Sequence, residues 1–155
     1  DVFSPDYLFD FFSELHHIEP TVRDERKRVL FERFGIDRFA QTKVADLSTG
    51  MKQKTSLAVS VAHDPRVIIF DEPTNGLDVL TARTVTDFLL ELAAEGRTVL
   101  LSTHIFSLVE KVCDRVGVVI DGRMVACGTL SEVAGECSLE DAFFDLYAQT
   151  VGEAS

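Results

Sequence analysis

Residues 67–78 read VIIFDEPTNGLD, and this stretch decides the fold. Four apolar residues run directly into two neighbouring carboxylates, Asp71 and Glu72. A short continuous apolar run rich in β-branched residues predicts a strand buried on both faces, as in a parallel sheet covered by helices. Pro73 and the Asn75-Gly76 pair are turn residues, so the strand should end at the carboxylates.

The two carboxylates are expected at the carboxyl end of this strand, which is where open α/β sheets bind ligands. Neither belongs in a core, because an unpaired buried charge is costly. Successive strand residues point to opposite faces of a sheet. We therefore expect Asp71 and Glu72 to have different tasks, for example one holding a metal ion and one orienting a water.

Two further segments carry polar groups that suit an anion. Ser48, in the segment LSTGM at residues 47–51, occupies the N-cap position of a helix predicted to run to about Ala62. A helix N-terminus with free N–H groups binds anions, although capping alone would also explain Ser48. His104 follows the apolar run of residues 98–102 and could either donate to a phosphate or cap the next helix.

Taken together, these segments resemble the ATP-binding-cassette (ABC) ATPases. Residues 47–51 are similar to the signature motif of that family, residues 67–71 to its Walker B strand and residues 75–78 to its D-loop. The site residues that the resemblance implies are the catalytic Glu72 and His104, the metal-binding Asp71, the signature residues Ser48, Thr49, Gly50 and Met51, and the D-loop residues Asn75, Gly76, Leu77 and Asp78. The resemblance covers nearly the whole chain, and its form is similar to the sodium- and multidrug-export branch.

The resemblance implies an α/β fold class, namely part of a P-loop NTPase (RecA-like) parallel sheet with helices, preceded by a helical subdomain. Residues 1–62 would form that helical subdomain and end in the signature helix. Residues 63–155 would form the C-terminal part of the RecA-like core, with a C-terminal hairpin and helices. The hairpin is also predicted directly from Asp121-Gly122 between two apolar runs.

The function implied by the resemblance is that of an ATP-hydrolysing subunit that powers export through a membrane partner. Its cofactors would be ATP and Mg²⁺, with Asp71 holding the ion through water. Glu72 would orient or deprotonate the attacking water, and His104 would stabilise the γ-phosphate. The signature residues would contact a nucleotide bound by a second protomer, although Thr49 and Met51 replace the usual glycine and glutamine of the motif.

The implied partners are a second ATPase protomer, identical or different, and a transmembrane permease subunit, which places the chain at the cytoplasmic face of the cell membrane. The permease would determine the exported substrate. The formal net charge of −11 argues against a nucleic-acid partner, since such binding relies on phosphate neutralisation. The three cysteines are odd in number and lack metal-ligand spacing, which favours reduced thiols over disulfides or zinc.

The 155 residues contain no phosphate loop of the form G-x-x-x-x-G-K-[ST], because none of the nine glycines precedes a lysine. The switch glutamine of the family is missing as well. We therefore expect these residues alone not to hydrolyse ATP, and we expect exposed apolar faces around Ile68, Val99 and Val118. Two alternatives remain: a truncated, non-catalytic interaction module, and a soluble ABC ATPase that has no transport function.

The N-terminal segment is rich in aromatic residues at helical spacing. We expect most of these side chains to be buried in the core; the alternative is a docking surface for the coupling helices of a membrane partner. The aromatic residues are Phe3, Tyr7, Phe9, Phe11 and Phe12.

Overall fold

The computed structural model describes residues 3–152 of the chain. These residues divide into two compact units, of which the first ends at Ser102 and the second begins at Thr103. In the described residues, no helix is both long enough and apolar enough to cross a membrane. The predicted division after residue 62 lies inside the first unit and stays a prediction.

The first unit consists of four α-helices, two short 3-10 turns and two strands. In chain order, these are α1 (Pro5–Leu15), α2 (Pro20–Phe34), the 3-10 turns Ile36–Phe39 and Val44–Asp46, α3 (Thr49–Ser60), β1 (Val67–Asp71), α4 (Val79–Ala94) and β2 (Thr98–Ser102).

Local signals in the sequence set the ends of the first two helices. Ser4 caps α1 by accepting a hydrogen bond from the Tyr7 N–H at 3.2 Å. Pro5 is the first residue of the helix, where the N–H that proline lacks would have no acceptor within the helix. Pro20 opens α2, and Gly35 ends it in a left-handed conformation with φ of 64°.

Helices α1 and α2 are joined by charge and by aromatic packing. The Lys27 ammonium lies 2.7 Å from carboxylate oxygens of both Asp6 and Asp10. Next to these ion pairs, the buried rings of Phe9 and Phe31 meet edge to face, with centroids 5.5 Å apart. This pairing turns one face of α1 towards the core of the unit.

The core of the first unit lies between α1, α2, α3, α4 and one face of the sheet. Its buried side chains come from every one of these elements, so the unit has one continuous apolar centre. Members of this cluster include Phe9, Leu30, Phe34, Leu57, Ile68, Phe70, Val85 and Leu89.

Strands β1 and β2 pair in parallel, with Asp71 opposite Ser102 at the carboxyl end. The prediction of a strand buried on both faces is wrong: Ile68 and Phe70 are buried, whereas Val67 and Ile69 are 62% and 71% exposed. Leu100 of β2 is 60% exposed on the same open face. Helices of the unit cover one face of this sheet and leave the other apolar.

Exposed apolar surface was expected around Ile68, Val99 and Val118, and it is found directly beside these residues. Ile68 and Val118 are buried, and Val99 is half-buried against the core. Because side chains alternate along a strand, the exposed residues are their neighbours, including Val67, Leu100 and Val119.

The aromatic residues of the N-terminal segment also differ from expectation. Phe9 is fully buried, but the exposed fractions of the other four lie between 37% and 47%. Phe9, Pro5 and Ser13 take the core side of α1, so the rings one or two positions away face outward. The exposed aromatic face of α1 consists of Tyr7, Phe11 and Phe12 of the helix together with Phe3, which precedes it.

The second unit combines a hairpin with three helices: α5 (Phe106–Val112), β3 (Arg115–Ile120), β4 (Arg123–Thr129), α6 (Leu130–Ala134) and α7 (Leu139–Gly152). The hairpin prediction is confirmed. Asp121 and Gly122 both have positive φ, 48° and 74°, as a two-residue hairpin turn of the primed type requires. The Leu139 N–H donates to Glu110 Oε1 at 2.9 Å, which ties α7 to α5.

Candidate functional site

The carboxyl ends of β1 and β2 bring Asp71 and Ser102 together. The Ser102 hydroxyl donates a hydrogen bond to the Asp71 carboxylate, and both residues are exposed. No group of three or more His, Cys, Asp or Glu side chains that could hold a metal ion occurs in residues 3–152. An exposed carboxylate beside a hydroxyl fits Mg²⁺, which prefers oxygen ligands and takes many of them from water and phosphate.

Glu72 begins the turn that follows β1. Its φ of 46° is left-handed, which is uncommon for a long side chain without special stabilisation. The side chains of Asp71 and Glu72 were expected to point to opposite faces, as successive residues of a strand do. The strand ends at Asp71, so this rule does not extend to Glu72. The Glu72 N–H still donates to the Ser102 carbonyl at 2.9 Å, which holds the turn to β2.

The signature segment opens α3 as expected. Ser48 is the N-cap, and its Oγ accepts a hydrogen bond from the Met51 N–H at 3.3 Å. Ser48 and Thr49 are exposed, whereas the Met51 side chain is partly buried against the core. An exposed helix start of this kind can present its remaining N–H groups to an anion.

The D-loop segment contacts the signature segment within the same unit. The Thr49 methyl carbon lies 3.2 Å from the position that a Cβ would occupy at Gly76. The Gly76 carbonyl oxygen lies 3.4 Å from the equivalent position at Gly50. Sequence reasoning missed this contact, because residues 49 and 76 belong to separate motifs and glycines leave no side-chain signal of packing.

Asn75 is exposed, Leu77 is partly buried against the core, and Asp78 caps α4. The Asp78 carboxylate accepts hydrogen bonds from the Leu80 N–H, the Thr81 N–H and the Thr81 hydroxyl at 3.1, 3.0 and 2.6 Å. The Thr81 hydroxyl is the main cause that lowers the pKa of Asp78, followed by the backbone donors. The structure therefore gives Asp78 a capping role, and its role between protomers stays a prediction.

His104 lies in the second unit, where it is exposed just before α5. The N-cap position of α5 is occupied by Ile105, one residue after His104. The Thr103 hydroxyl oxygen accepts a hydrogen bond from the Ile105 N–H at 3.2 Å and orders the segment around His104. The contact of His104 with a γ-phosphate stays a prediction.

Comparison with known proteins identifies the family to which the chain belongs. Residues 3–110 match the family described as "AAA domain, putative AbiEii toxin, Type IV TA system", and the chain belongs to this family of AAA-type domains.

The individual relatives are more specific. An uncharacterized ABC transporter ATP-binding protein of Methanocaldococcus jannaschii is 35% identical over 126 residues, which cover 81% of this chain and 48% of the relative. The fluoroquinolones export ATP-binding protein of Mycobacterium tuberculosis strain H37Rv is 42% identical over 94 residues, or 61% of this chain and 31% of the relative. The chain thus spans about half the length, or less, of these curated relatives.

A solved structure described as the ATP binding subunit of an ABC transporter superposes with a TM-score of 0.88 and 27% sequence identity. The superposition covers 94% of this chain and 62% of that chain. These comparisons confirm the predicted α/β class and the predicted resemblance to ABC transporter ATP-binding proteins of the export type.

Proposed function

We propose that this chain carries the signature, Walker B and D-loop segments of an ATP-hydrolysing subunit that powers an export-type ABC transporter. The observation that carries the proposal is the contact of Thr49 and Gly50 with Gly76. It brings the exposed N-terminus of α3 beside the loop that follows Asp71 and Glu72. An anion-binding helix start and two carboxylates at a strand end are parts that phosphoryl transfer needs, and in a dimer one chain would contribute them to two different nucleotides.

Each residue has a task in the proposed reaction. ATP with Mg²⁺ supplies the phosphoryl group and the ion that neutralises its charge. Asp71, fixed by the Ser102 hydroxyl, would hold the ion through water, and Glu72 would orient or deprotonate the attacking water. By resemblance to the family, His104 donates to an oxygen of the γ-phosphate.

The N-terminus of α3 would face the nucleotide of a second protomer, with Ser48, Thr49, Gly50 and Met51 as the contacting segment. Thr49 replaces a glycine of the family motif, and its methyl group lies against Gly76 of the same chain. Packing of the methyl group in that direction is compatible with close approach of a phosphate to the main chain at Gly50. Hydrolysis would then require two protomers, of one or two kinds.

Nucleotide binding also needs a phosphate loop, which the 155 residues do not contain. We propose that a segment of the same polypeptide outside these residues supplies it. The open apolar face of the sheet, formed by Val67, Ile69 and Leu100, offers a surface on which such a segment can pack.

The proposed second partner is a transmembrane permease subunit at the cytoplasmic face of the cell membrane. The exposed aromatic face of α1 supports this proposal, since its rings form a row. The ring centroids of Phe3 and Tyr7 lie 5.3 Å apart with tilted planes, and those of Tyr7 and Phe11 lie 6.1 Å apart with stacked planes. Exposed aromatic side chains are the usual anchors of protein interfaces.

The proposal is tested by measuring Mg²⁺-dependent ATP hydrolysis for the 155-residue chain and for the complete reading frame that encodes it. We expect the chain alone to be inactive and the complete protein to be active. A complete protein that neither binds nor hydrolyses ATP would overturn the proposal and favour the non-catalytic interaction module. Hydrolysis by the 155 residues alone would overturn the need for an added phosphate loop.

A further inference from the structure

One side chain joins the signature helix to Glu72. Gln53 lies in the second turn of α3, and its Nε2 donates a hydrogen bond to the main-chain carbonyl of Glu72 at 3.2 Å. The Asn75 N–H donates to the same carbonyl at 3.1 Å. Gln53 is half-buried, so this hydrogen bond is partly shielded from water.

Glu72 requires such support because its main chain is left-handed, with φ of 46°. A long side chain adopts this conformation only where its surroundings enforce it, and such residues cluster at functional sites. The bonds to Ser102 and Asn75 come from the neighbouring strand and from the turn itself. The bond from Gln53 ties the same peptide group to a separate element, helix α3.

The loop that starts at Glu72 contacts α3 at two points. Gln53 holds the carbonyl of Glu72, and Thr49 lies against Gly76. Along a helix, residues 48 and 53 are separated by about 7.5 Å, so the proposed phosphate contact and the Gln53 contact lie on one short rigid segment. A displacement of α3 would therefore move the loop that carries Glu72.

We propose that Gln53 is a positioning residue for the proposed ATPase reaction. Its amide fixes the main chain at Glu72 so that the carboxylate points at the attacking water. The alignment of Glu72 in one protomer then depends on the position of α3, whose N-terminus would contact the nucleotide of the other site. The inference rests on the proposed function, and the two can fail separately.

The test uses the complete protein and compares two variants of Gln53. Gln53→Met keeps the length of the side chain but removes the donor. Gln53→Glu keeps its shape, but an ionised carboxylate repels the Glu72 carbonyl, and only the protonated form can donate to it. The matched control is Gln149→Met, which changes an exposed glutamine of α7.

We expect Gln53→Met to lower kcat by about 10- to 100-fold, the effect of a small misplacement of a catalytic group. The KM for MgATP should stay close to that of the wild type. The kcat of Gln53→Glu, relative to the wild type, should rise as the pH falls and the new carboxyl group becomes protonated. The control should keep wild-type kcat and KM.

Wild-type kcat in Gln53→Met, combined with inactivity of Glu72→Gln, would overturn the inference and leave the proposed function standing. Equal impairment of Gln53→Glu at all pH values would also overturn it, because a merely structural defect would not respond to this proton. If Gln53→Met fails to fold, the pH dependence of kcat in Gln53→Glu tests the inference on its own. Absence of hydrolysis in the wild type would overturn both proposals.

Discussion

The methyl group of Thr49 lies 3.2 Å from the position that a side chain would occupy at Gly76. Gly76 also has φ of 71°, so both its conformation and its surroundings favour glycine. Two motifs that are far apart in sequence thus share one close contact. The contact ties the start of α3 to the loop that follows β1.

Replacement of Gly76 by alanine should therefore destabilise the first unit for two reasons. The left-handed conformation alone costs about 1–2 kcal/mol, and the contact with Thr49 adds to it. Gly35→Ala is the matched control, because Gly35 has φ of 64° but nothing within 4 Å of an added Cβ. Urea unfolding should give a larger loss for Gly76→Ala than for Gly35→Ala.

Removal of the Thr49 methyl group should relieve the steric part of this loss. We expect Gly76→Ala to be less costly in a Thr49→Ser background than in the wild type, as a double-mutant cycle measures. Equal losses in both backgrounds would show that the two residues do not contact each other.

Ser48 allows helix capping to be separated from phosphate contact. Asp and Asn both serve well as N-caps, so Ser48→Asp and Ser48→Asn should each preserve α3. Only the aspartate places a negative charge where the nucleotide of the second protomer is proposed to lie. In the complete protein, Ser48→Asp should abolish most ATP hydrolysis while Ser48→Asn keeps a substantial part, as a phosphate-release assay measures. Equal activity of the two variants would show that Ser48 only caps α3 and does not contact the phosphate.

The stacked rings of His16 and His63 predict a dependence of stability on pH. Their centroids lie 3.9 Å apart with an interplanar angle of 9°. Burial, followed by the charge of His16 and then of Arg26, lowers the pKa of His63 below its ordinary value of 6.5, while Asp64 acts in the opposite direction. Below that ordinary value the unfolded chain binds more protons than the folded chain, so stability is lost as the pH falls through the lowered pKa.

His63→Phe should keep the stack and remove the titration of residue 63. The decrease in unfolding temperature between pH of about 7.5 and about 5.5 should therefore be smaller in His63→Phe than in the wild type. The control is His17→Asn, because asparagine tolerates the left-handed φ of 57° at residue 17. The same decrease of unfolding temperature in the wild type and in His63→Phe would show that the protonation of His63 does not cause it.

The open face of the sheet predicts self-association of the 155-residue chain. Ile69 and Leu100 are register partners, and 71% and 60% of their surfaces are exposed. Apolar faces beside unpaired strand edges favour contact between copies. Sedimentation velocity should show association that increases with concentration in the wild type and decreases in Ile69→Lys.

Val79→Lys is the control for that experiment, since Val79 is 85% exposed and belongs to helix α4, not to a strand. It should associate like the wild type. A wild-type chain that stays monomeric at all concentrations would contradict the prediction.

Residues 67–78 were sufficient to predict the strand, its polar end and the turn that follows, because these depend on local composition. Asp121-Gly122 likewise predicted its hairpin. The burial of β1 could not be read in the same way, since an apolar run does not tell which face is covered. On α1, the ion pairs of Asp6 and Asp10 with α2 help to decide which aromatic rings face outward.

The contact of Gln53 with Glu72 also lay beyond sequence reasoning. It joins two residues 19 positions apart through a main-chain carbonyl, which leaves no trace in the pattern of side chains. The left-handed conformation of Glu72 could not be predicted from the sequence either, because a glutamate gives no signal for it.

We propose that Glu72 acts on ATP in a site completed by a second protomer. Glu72→Gln in the complete protein tests it most directly, with Glu136→Gln as an exposed control. We expect Glu72→Gln to lose ATP hydrolysis but to form a dimer when MgATP is added, because the nucleotide is bound and not consumed. Hydrolysis at the wild-type rate in Glu72→Gln, or a protein that stays monomeric with MgATP, would contradict the account.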